Sequence, residues 1–269
     1  MMSLAPDVAG VRKRMLNHAD SRLHWSDLRE IRKSPAHYAY AVQHPRTEIT
    51  REMRVGAATD ALVFGVRKLA VFEGKVRNGK EWEAFKAEHA GEEIVNESEM
   101  AEAQGAATAL LEDPDALSWL KGERQVVLQW DMLGIPCATG IAGKRGGIDV
   151  LDRGFGRLVD LKSTSSTDPE PFSSHAWNMD WHTQLKFYKY GCAANGIEIR
   201  DLALVGIESS PPYIVEVLEI PSDVEEEADK RLRMMLERLK GCLDADRWPK
   251  YVQGPVPMSL PRWMRAEVD

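Results

Sequence analysis

Two aspartates and a lysine in one short stretch of this sequence have the types and spacing for metal-assisted chemistry at a phosphate. Asp149 stands in Gly147-Ile148-Asp149-Val150, and Asp160 and Lys162 stand in Arg157-Leu158-Val159-Asp160-Leu161-Lys162-Ser163-Thr164. On a β-strand, residues two apart project from the same face, about 6.5 Å apart along the chain. Asp160 and Lys162 therefore point together, while Val159 and Leu161 face a core. Asp149 lies 11 residues before Asp160, across a turn through Asp152-Arg153-Gly154-Phe155-Gly156, so a hairpin there brings the two carboxylates side by side. Two carboxylates and an ammonium suit a hard, oxygen-liganded cation. Magnesium takes one or two carboxylates and completes its shell with water and phosphate oxygens. Such an ion positions and acidifies a water and stabilises a leaving oxygen, and Lys162 can orient that water or offset charge building on phosphorus. A lone Asp-x-Lys is more commonly an exposed strand with a surface ion pair, and the upstream aspartate is what raises its specificity.

These residues need a sheet to position them, and the sequence supplies one. Val126-Val127-Leu128 and Trp130 make 123–131 a strand, followed by short strands at 136–141, 147–152 and 157–162, separated by glycines. Two later strands are expected at 201–208 and 213–220. Before the sheet, His24-Trp25-Ser26-Asp27-Leu28 reads as a helix start with Ser26 as cap. Ser34-Pro35 combines a cap with proline at the first helical position. Helices are expected over 51–64, with Met53, Ala57, Ala61 and Phe64 among the apolar positions, and over 98–111, ending before Asp113-Pro114. Residues 66–97 are polar and show no clear period. After the catalytic stretch, one helix is expected from about 171 to 194. A long charged one, capped by Ser222, should run to about 243 with Leu232, Met235, Leu236 and Leu239 inward. Residues 257–263 form an irregular tail. The pattern is one α/β domain, residues 1–269, with a central mixed sheet flanked by helices. Its helical part covers about 22–115, its catalytic sheet and helices about 120–245, and its tail 246–269.

The bulk composition sets the frame. With 269 residues, 43% hydrophobic and 29% charged, the chain can bury a substantial core. No apolar run approaches membrane-spanning length. The first 14 residues carry Arg12, Lys13 and Arg14 without an apolar stretch, unlike a secretory signal. Cys137, Cys192 and Cys242 are scattered and odd in number, which disfavours a disulfide framework or an all-cysteine metal site. A cytoplasmic location is expected. Net charge is −7, yet residues 1–80 hold 15 Lys/Arg against 8 Asp/Glu and the rest 20 against 34. That asymmetry permits a basic face on an acidic body. Scattered solvated charge explains it equally well.

Several motifs in order resemble the RecE-type exonucleases (exonuclease VIII) of the PD-(D/E)xK nuclease superfamily, over roughly residues 22–267. They are His24-Trp25-Ser26-Asp27-Leu28 through Ser34-Pro35-Ala36-His37-Tyr38, the Asp149 and Asp160-x-Lys162 core, Val159-Asp160-Leu161-Lys162-Ser163-Thr164, His182-Thr183-Gln184-Leu185-Lys186-Phe187-Tyr188, and Ser259-Leu260-Pro261-Arg262-Trp263. The resemblance implies a restriction-endonuclease-like fold and a magnesium site, with manganese as substitute, built from Asp149, Asp160 and Leu161. Gln184 and Tyr188, four apart on one helix face, would join Asp149, Asp160 and Lys162 in catalysis; ordinary packing is the alternative. Gly56-Ala57-Ala58-Thr59-Asp60-Ala61-Leu62 sits where the family carries a Gly-Thr-x-x-His helix motif, so Asp60 replaces its histidine and joins the candidate metal set. Glu123, starting the first strand, resembles an extra acid that related nucleases place near the metal. Lys144 and Arg145, within Gly143-Lys144-Arg145-Gly146-Gly147, are candidate DNA contacts. Trp177 and Trp181 read as core or interface residues more readily than as base-stacking platforms.

The implied activity is 5′-to-3′ digestion of one strand from linear double-stranded DNA ends. The 3′ tail would pass to a single-strand annealing protein (RecT-like) for recombination, and processive relatives form rings, so a ring-shaped homo-oligomer such as a tetramer is expected. CRISPR-associated relatives with a four-cysteine cluster do not fit three scattered cysteines. Two alternatives stay open: a nuclease of other polarity or substrate, and a catalytically silent DNA-binding module, which the change at Asp60 favours.

Overall fold

The computed structural model describes residues 22–44, 48–74, 76–141 and 146–259. Lys144, Arg145, the first 14 residues, and all but Ser259 of the C-terminal Ser-Leu-Pro-Arg-Trp motif fall outside them.

The centre is a five-stranded sheet of β3 (Glu123–Val126), β6 (Ile148–Asp152), β7 (Arg157–Thr164), β8 (Asp201–Glu208) and β9 (Val215–Glu219) in that spatial order. The β7–β8 pair is parallel and the other three pairs are antiparallel. β8 is buried along almost its whole length, as a strand covered on both faces must be. Its side chains alternate: Leu202 and Leu204 enter one core, Ala203, Val205 and Ile207 the other. In β7, Leu158 joins the first core and Val159 and Leu161 the second, as the period-2 pattern predicts. β4 (Gln129–Met132) and β5 (Ile135–Ala138) form a separate antiparallel hairpin. The single strand expected over 123–131 is thus two elements, with an interruption at Val127 and Leu128.

One face of the sheet carries the N-terminal and C-terminal helices. A one-turn helix α1 (Trp25–Leu28) runs into a 3₁₀ turn at Arg29–Arg32 and then α2 (Pro35–Gln43). His24, not Ser26, is the N-cap of α1, because Trp25 and Ser26 are already helical. Ser34 caps α2 as the sequence indicates, its Oγ accepting from the His37 amide, with Pro35 in the first turn. Tyr38 stacks on Trp248, ring centroids 5.5 Å apart, which fastens α2 to the chain's C-terminal part.

The helix expected over 51–64 is α3 (Arg51–Phe64). Its buried face is Val55, Ala57, Ala58, Thr59 and Ala61, while Met53 is exposed. The stretch without a clear period, 66–97, holds a short parallel pair, β1 (Leu69–Val71) and β2 (Glu93–Val95), joined through α4 (Gly79–Glu88). α5 (Glu97–Glu112) starts with a capping box: Asn96 and Glu99 each accept from the other's backbone amide. α6 (Pro114–Trp119) follows, capped by Asp113.

Behind the catalytic stretch, the single helix expected from 171 to 194 is two, α7 (Pro169–Asn178) and α8 (Trp181–Ala194). Asp180 adopts a left-handed backbone (φ +57°), which ends one helix and re-aims the next. The last helix, α9 (Ser222–Ala245), buries Leu232, Met235, Leu236 and Leu239. Ser222 is its first residue and Pro221 holds the cap position, so the expected serine cap is absent. Among the described residues, no helix is long and apolar enough to cross a membrane.

Candidate metal centre and nuclease fold

The β6–β7 hairpin pairs Val150 with Val159, Leu151 with Leu158 and Asp152 with Arg157. One step further along that register sets Asp149 opposite Asp160. The turn is held by Asp152, whose Oδ1 accepts from the amides of Gly154 and Phe155 at 2.9 and 3.1 Å. Asp149 is fixed at both oxygens: Oδ2 accepts from the Leu161 amide at 2.9 Å and Oδ1 from Gln125 Nε2 at 2.9 Å. Asp160 is 2% exposed. Its Oδ1 accepts from Gln184 Nε2 at 3.2 Å, and the Lys162 ammonium lies against Oδ2. Gln184 joins the remaining groups, with Nε2 3.1 Å from the Tyr188 hydroxyl and Oε1 3.3 Å from Lys162 Nζ. Because α8 starts at Trp181, Gln184 and Tyr188 stack one turn apart on the side facing β7.

These side chains line a cavity of about 480 Å³ that also includes Asp60 of α3, Trp25, Ser26 and Asp27 of α1, and Gly140 and Gly147. Two glycines shape its wall. A Cβ on Gly140 would lie 2.6 Å from the Gly147 nitrogen, and Gly147 itself has φ +121° with Val126 O 2.9 Å from any added Cβ. Only glycine permits this backbone-on-backbone approach.

Among the described residues lining the cavity, Asp27, Asp60, Asp149 and Asp160 are gathered with one lysine, Lys162. Burial first, then the neighbouring Asp160 and Asp60, push the Asp149 carboxyl well above the usual carboxylate range; Lys162 and the Leu161 amide pull the other way. Burial and Asp160 likewise push the Tyr188 phenol up, so it stays protonated and can donate. Asp160 Oδ2 accepts no well-aligned hydrogen bond despite being buried. A buried acceptor and an acid pair with one lysine are the features that a cation relieves. No three His, Cys, Asp or Glu among the described residues converge tightly enough to hold an ion alone. Asp149 and Asp160 therefore fit a two-carboxylate site for a divalent cation, whose shell water and substrate oxygens would complete. Asp60 borders it, and Leu161 contributes main-chain atoms there.

Of the residues the sequence nominates, Asp149, Asp160, Leu161, Lys162, Gln184, Tyr188 and Asp60 meet in this cavity. Glu123 does not. It pairs across the sheet with Leu151, is exposed, and forms an ion pair with Arg153, two residues beyond the level of Asp149. The strand position opposite Asp149 belongs to Gln125, a residue that sequence reasoning does not nominate. Gln125 has φ +50°, unusual for a non-glycine residue, and its Oε1 also receives the Gly146 amide at 3.4 Å. A polar residue beside the apolar Val126-Val127-Leu128 run was the available signal. Trp181 is buried in the core, as the sequence reading has it, and its ring centre lies 5.4 Å from Lys162 Nζ. Trp177 is half-buried against His182, as a packing role requires.

A mixed sheet carrying paired aspartates and a lysine at the β6–β7 hairpin, flanked by helices on both faces, defines the PD-(D/E)xK fold. The chain belongs to the family described as a PDDEXK-like domain of unknown function (DUF3799), whose model matches residues 25–254. That places it in the superfamily; the finer RecE-type placement is not part of the match. The crystal structure of a candidate exonuclease from Eubacterium rectale is similar with a TM-score of 0.63 at 13% identity, covering 96% of this chain and 97% of that one. At that identity the likeness is one of fold. The structure of SSO0001 is similar only at a TM-score of 0.27 and 15% identity, covering 56% of this chain and 70% of that one. No curated protein matches the chain.

Proposed function

We propose that this protein is a magnesium-dependent deoxyribonuclease, a 5′-to-3′ exonuclease on linear duplex DNA. The observation that carries the reading is the cross-strand pair Asp149 and Asp160 with Lys162 on the same strand face, in a cavity with Gln184 and Tyr188. Bound at the two aspartates, a divalent cation supplies phosphate neutralisation, an acidified water and relief of charge on the leaving oxygen. The chain's own groups do the rest. Lys162 and Gln184 touch each other and Asp160, so together they orient a water beside the carboxylates and carry charge toward the phosphate. Tyr188, held protonated, accepts from Gln184 Nε2 and keeps its own O–H to donate to a phosphate oxygen. Trp181 shields one side of the Lys162 ammonium from solvent, which strengthens its field at the reacting centre.

Exonuclease polarity, the 3′ tail and its transfer to a single-strand annealing protein rest on the motif resemblance to RecE-type enzymes, as do a ring-shaped homo-oligomer and a cytoplasmic setting. The likeness in fold to a candidate exonuclease supports the nuclease part of the reading.

Linear duplex DNA labelled separately at its 5′ and 3′ ends, incubated with magnesium, tests it. Early release of the 5′ label by the wild type, absent in Asp160→Ala, is the expected result. Release of the 3′ label first reverses the polarity, and DNA left intact by the wild type removes the nuclease reading.

A further inference from the structure

A second recess, largely apolar in its lining but carrying four basic side chains, is lined in part by the 3₁₀ turn that follows α1. This groove, of about 330 Å³, opens between that segment and α9 and is lined by Arg32, Lys230, Arg231 and Arg238, with Ile31 and Met235 forming apolar wall. Glu227 is the only acid in its lining among the described residues. On a chain of net charge −7, such a concentration of cations is out of keeping with the rest of the composition.

The arginines are held in place from behind. Asp180, 1% exposed, receives Arg32 Nη1 at 2.9 Å and Arg231 Nε at 2.8 Å. Arg32 Nη1 also donates to the Asn178 carbonyl at 3.0 Å, and Arg238 Nη1 to the Ile31 carbonyl at 3.3 Å. Each guanidinium is anchored through one nitrogen, and its other N–H groups make no hydrogen bond to the described residues. Asp180 does this from a left-handed backbone, and burial pushes its carboxyl up despite the nearby Arg231, Arg32 and Arg29.

We propose that this groove clamps phosphates of the nucleic-acid strand that runs into the carboxylate cavity. The direction of the strand rests on the nuclease reading; the clamp itself rests on the arginine geometry. Guanidinium forks match phosphate oxygens and lose little freedom when already anchored. Neighbouring turns of the same α1–3₁₀ segment line the two recesses. Trp25, Ser26 and Asp27 line the cavity, and Ile31 and Arg32, in the next turn, line the groove. From Asp27 to Arg32 the chain advances roughly 8–10 Å at helical rises. That is about three phosphates along one strand of a duplex. Asp180, which pairs with Arg32 and Arg231, directly precedes Trp181, whose ring centre lies 5.4 Å from Lys162 Nζ. A backbone held at Arg32, Arg231 and Arg238 is therefore delivered to the reactive lysine within a few nucleotides.

Anisotropy of a labelled duplex oligonucleotide in calcium, across a potassium chloride titration, tests the clamp. Arg231→Gln removes an anchored fork. The double variant Lys230→Gln with Arg238→Gln leaves both ion pairs of Asp180 intact, so it keeps the test valid if Arg231→Gln misfolds. Each should weaken binding at least about tenfold and lower the salt slope by about one for every phosphate that the variant no longer neutralises. Lys240→Gln, on the same helix outside the groove, should change neither. Wild-type affinity and slope in both groove variants would overturn the clamp. So would a wild type that binds an oligoglutamate peptide in the groove and no DNA, which would assign the groove to an acidic protein segment. Cleavage in magnesium is measured in parallel. Wild-type cleavage with undiminished binding by the variants removes the clamp and leaves the nuclease, whereas weakened binding by the variants without wild-type cleavage removes the nuclease and leaves the clamp.

Discussion

Replacing Glu99 with glutamine should destabilise the helical half that carries Asp60. Glu99 is 1% exposed at the start of α5. Arg54 of α3 donates to its Oε1 from Nε at 2.9 Å, Arg77 reaches the same oxygen from Nη1 at 3.1 Å, and the Asn96 amide reaches Oε2 at 2.9 Å. Burial pushes this carboxyl up, but the two arginines and the amide more than offset it, bringing it down to about 2. Against an unfolded value near 4.3, the difference corresponds to about 3 kcal/mol. Because the folded value is the lower one, this stability is fully present above the unfolded value and is lost as pH falls from about 5 toward 2. The glutamine variant keeps the shape but leaves two half-buried arginines without their counter-charge, and their exposure holds the loss to the lower end of the roughly 3–5 kcal/mol of a fully buried pair. Urea unfolding at neutral pH and at pH values down to about 3 measures both. The variant should be less stable by about 3 kcal/mol at neutral pH, and its stability should fall less than the wild type's on acidification. A difference below about 1 kcal/mol, or parallel pH curves, would refute the argument that this ion cluster holds α3 to α5.

Other perturbations read the site itself. Asp149→Asn and Asp160→Asn should each abolish cleavage in magnesium while DNA binding holds or tightens, since a repelling carboxylate is gone; end-label release and anisotropy on the same samples separate the two effects. Gln125→Ala frees Asp149 Oδ1 and the Gly146 amide, and calorimetry should show divalent-ion affinity lowered about 10- to 100-fold, with Gln125→Glu not equivalent because it adds a fourth carboxylate near Asp149. Gly140→Ala forces a methyl into the Gly147 backbone and should cost about 1–3 kcal/mol in urea unfolding together with a fall in activity. Calcium in place of magnesium should support DNA binding without turnover, because its looser shell positions a water poorly; full turnover in calcium would contradict the two-carboxylate account.

Much of the site was written in local order. The alternation through Val159, Asp160, Leu161 and Lys162 determines which side chains share a face, because a strand's period of two depends on backbone geometry alone. The spacing of Leu232, Met235, Leu236 and Leu239, the Ser34-Pro35 start and the boundaries of α3 are likewise short-range, and the structure reproduces each. What sequence could not determine is register and direction over distance. Glu123 and Gln125 occupy the same strand two residues apart, and only the pairing of β3 with β6 decides that Gln125 faces Asp149 while Glu123 reaches Arg153. A one-step slip would exchange every such neighbour without altering any local preference. The same holds for the break at Asp180: the apolar period runs on through 171–194, and the left-handed residue that divides it is stabilised by arginines from 148 residues before it and 51 after it. Sequence by itself determined the chemistry the strand could offer. Tertiary structure decided which groups meet it, because those meetings depend on contacts between residues far apart in the chain.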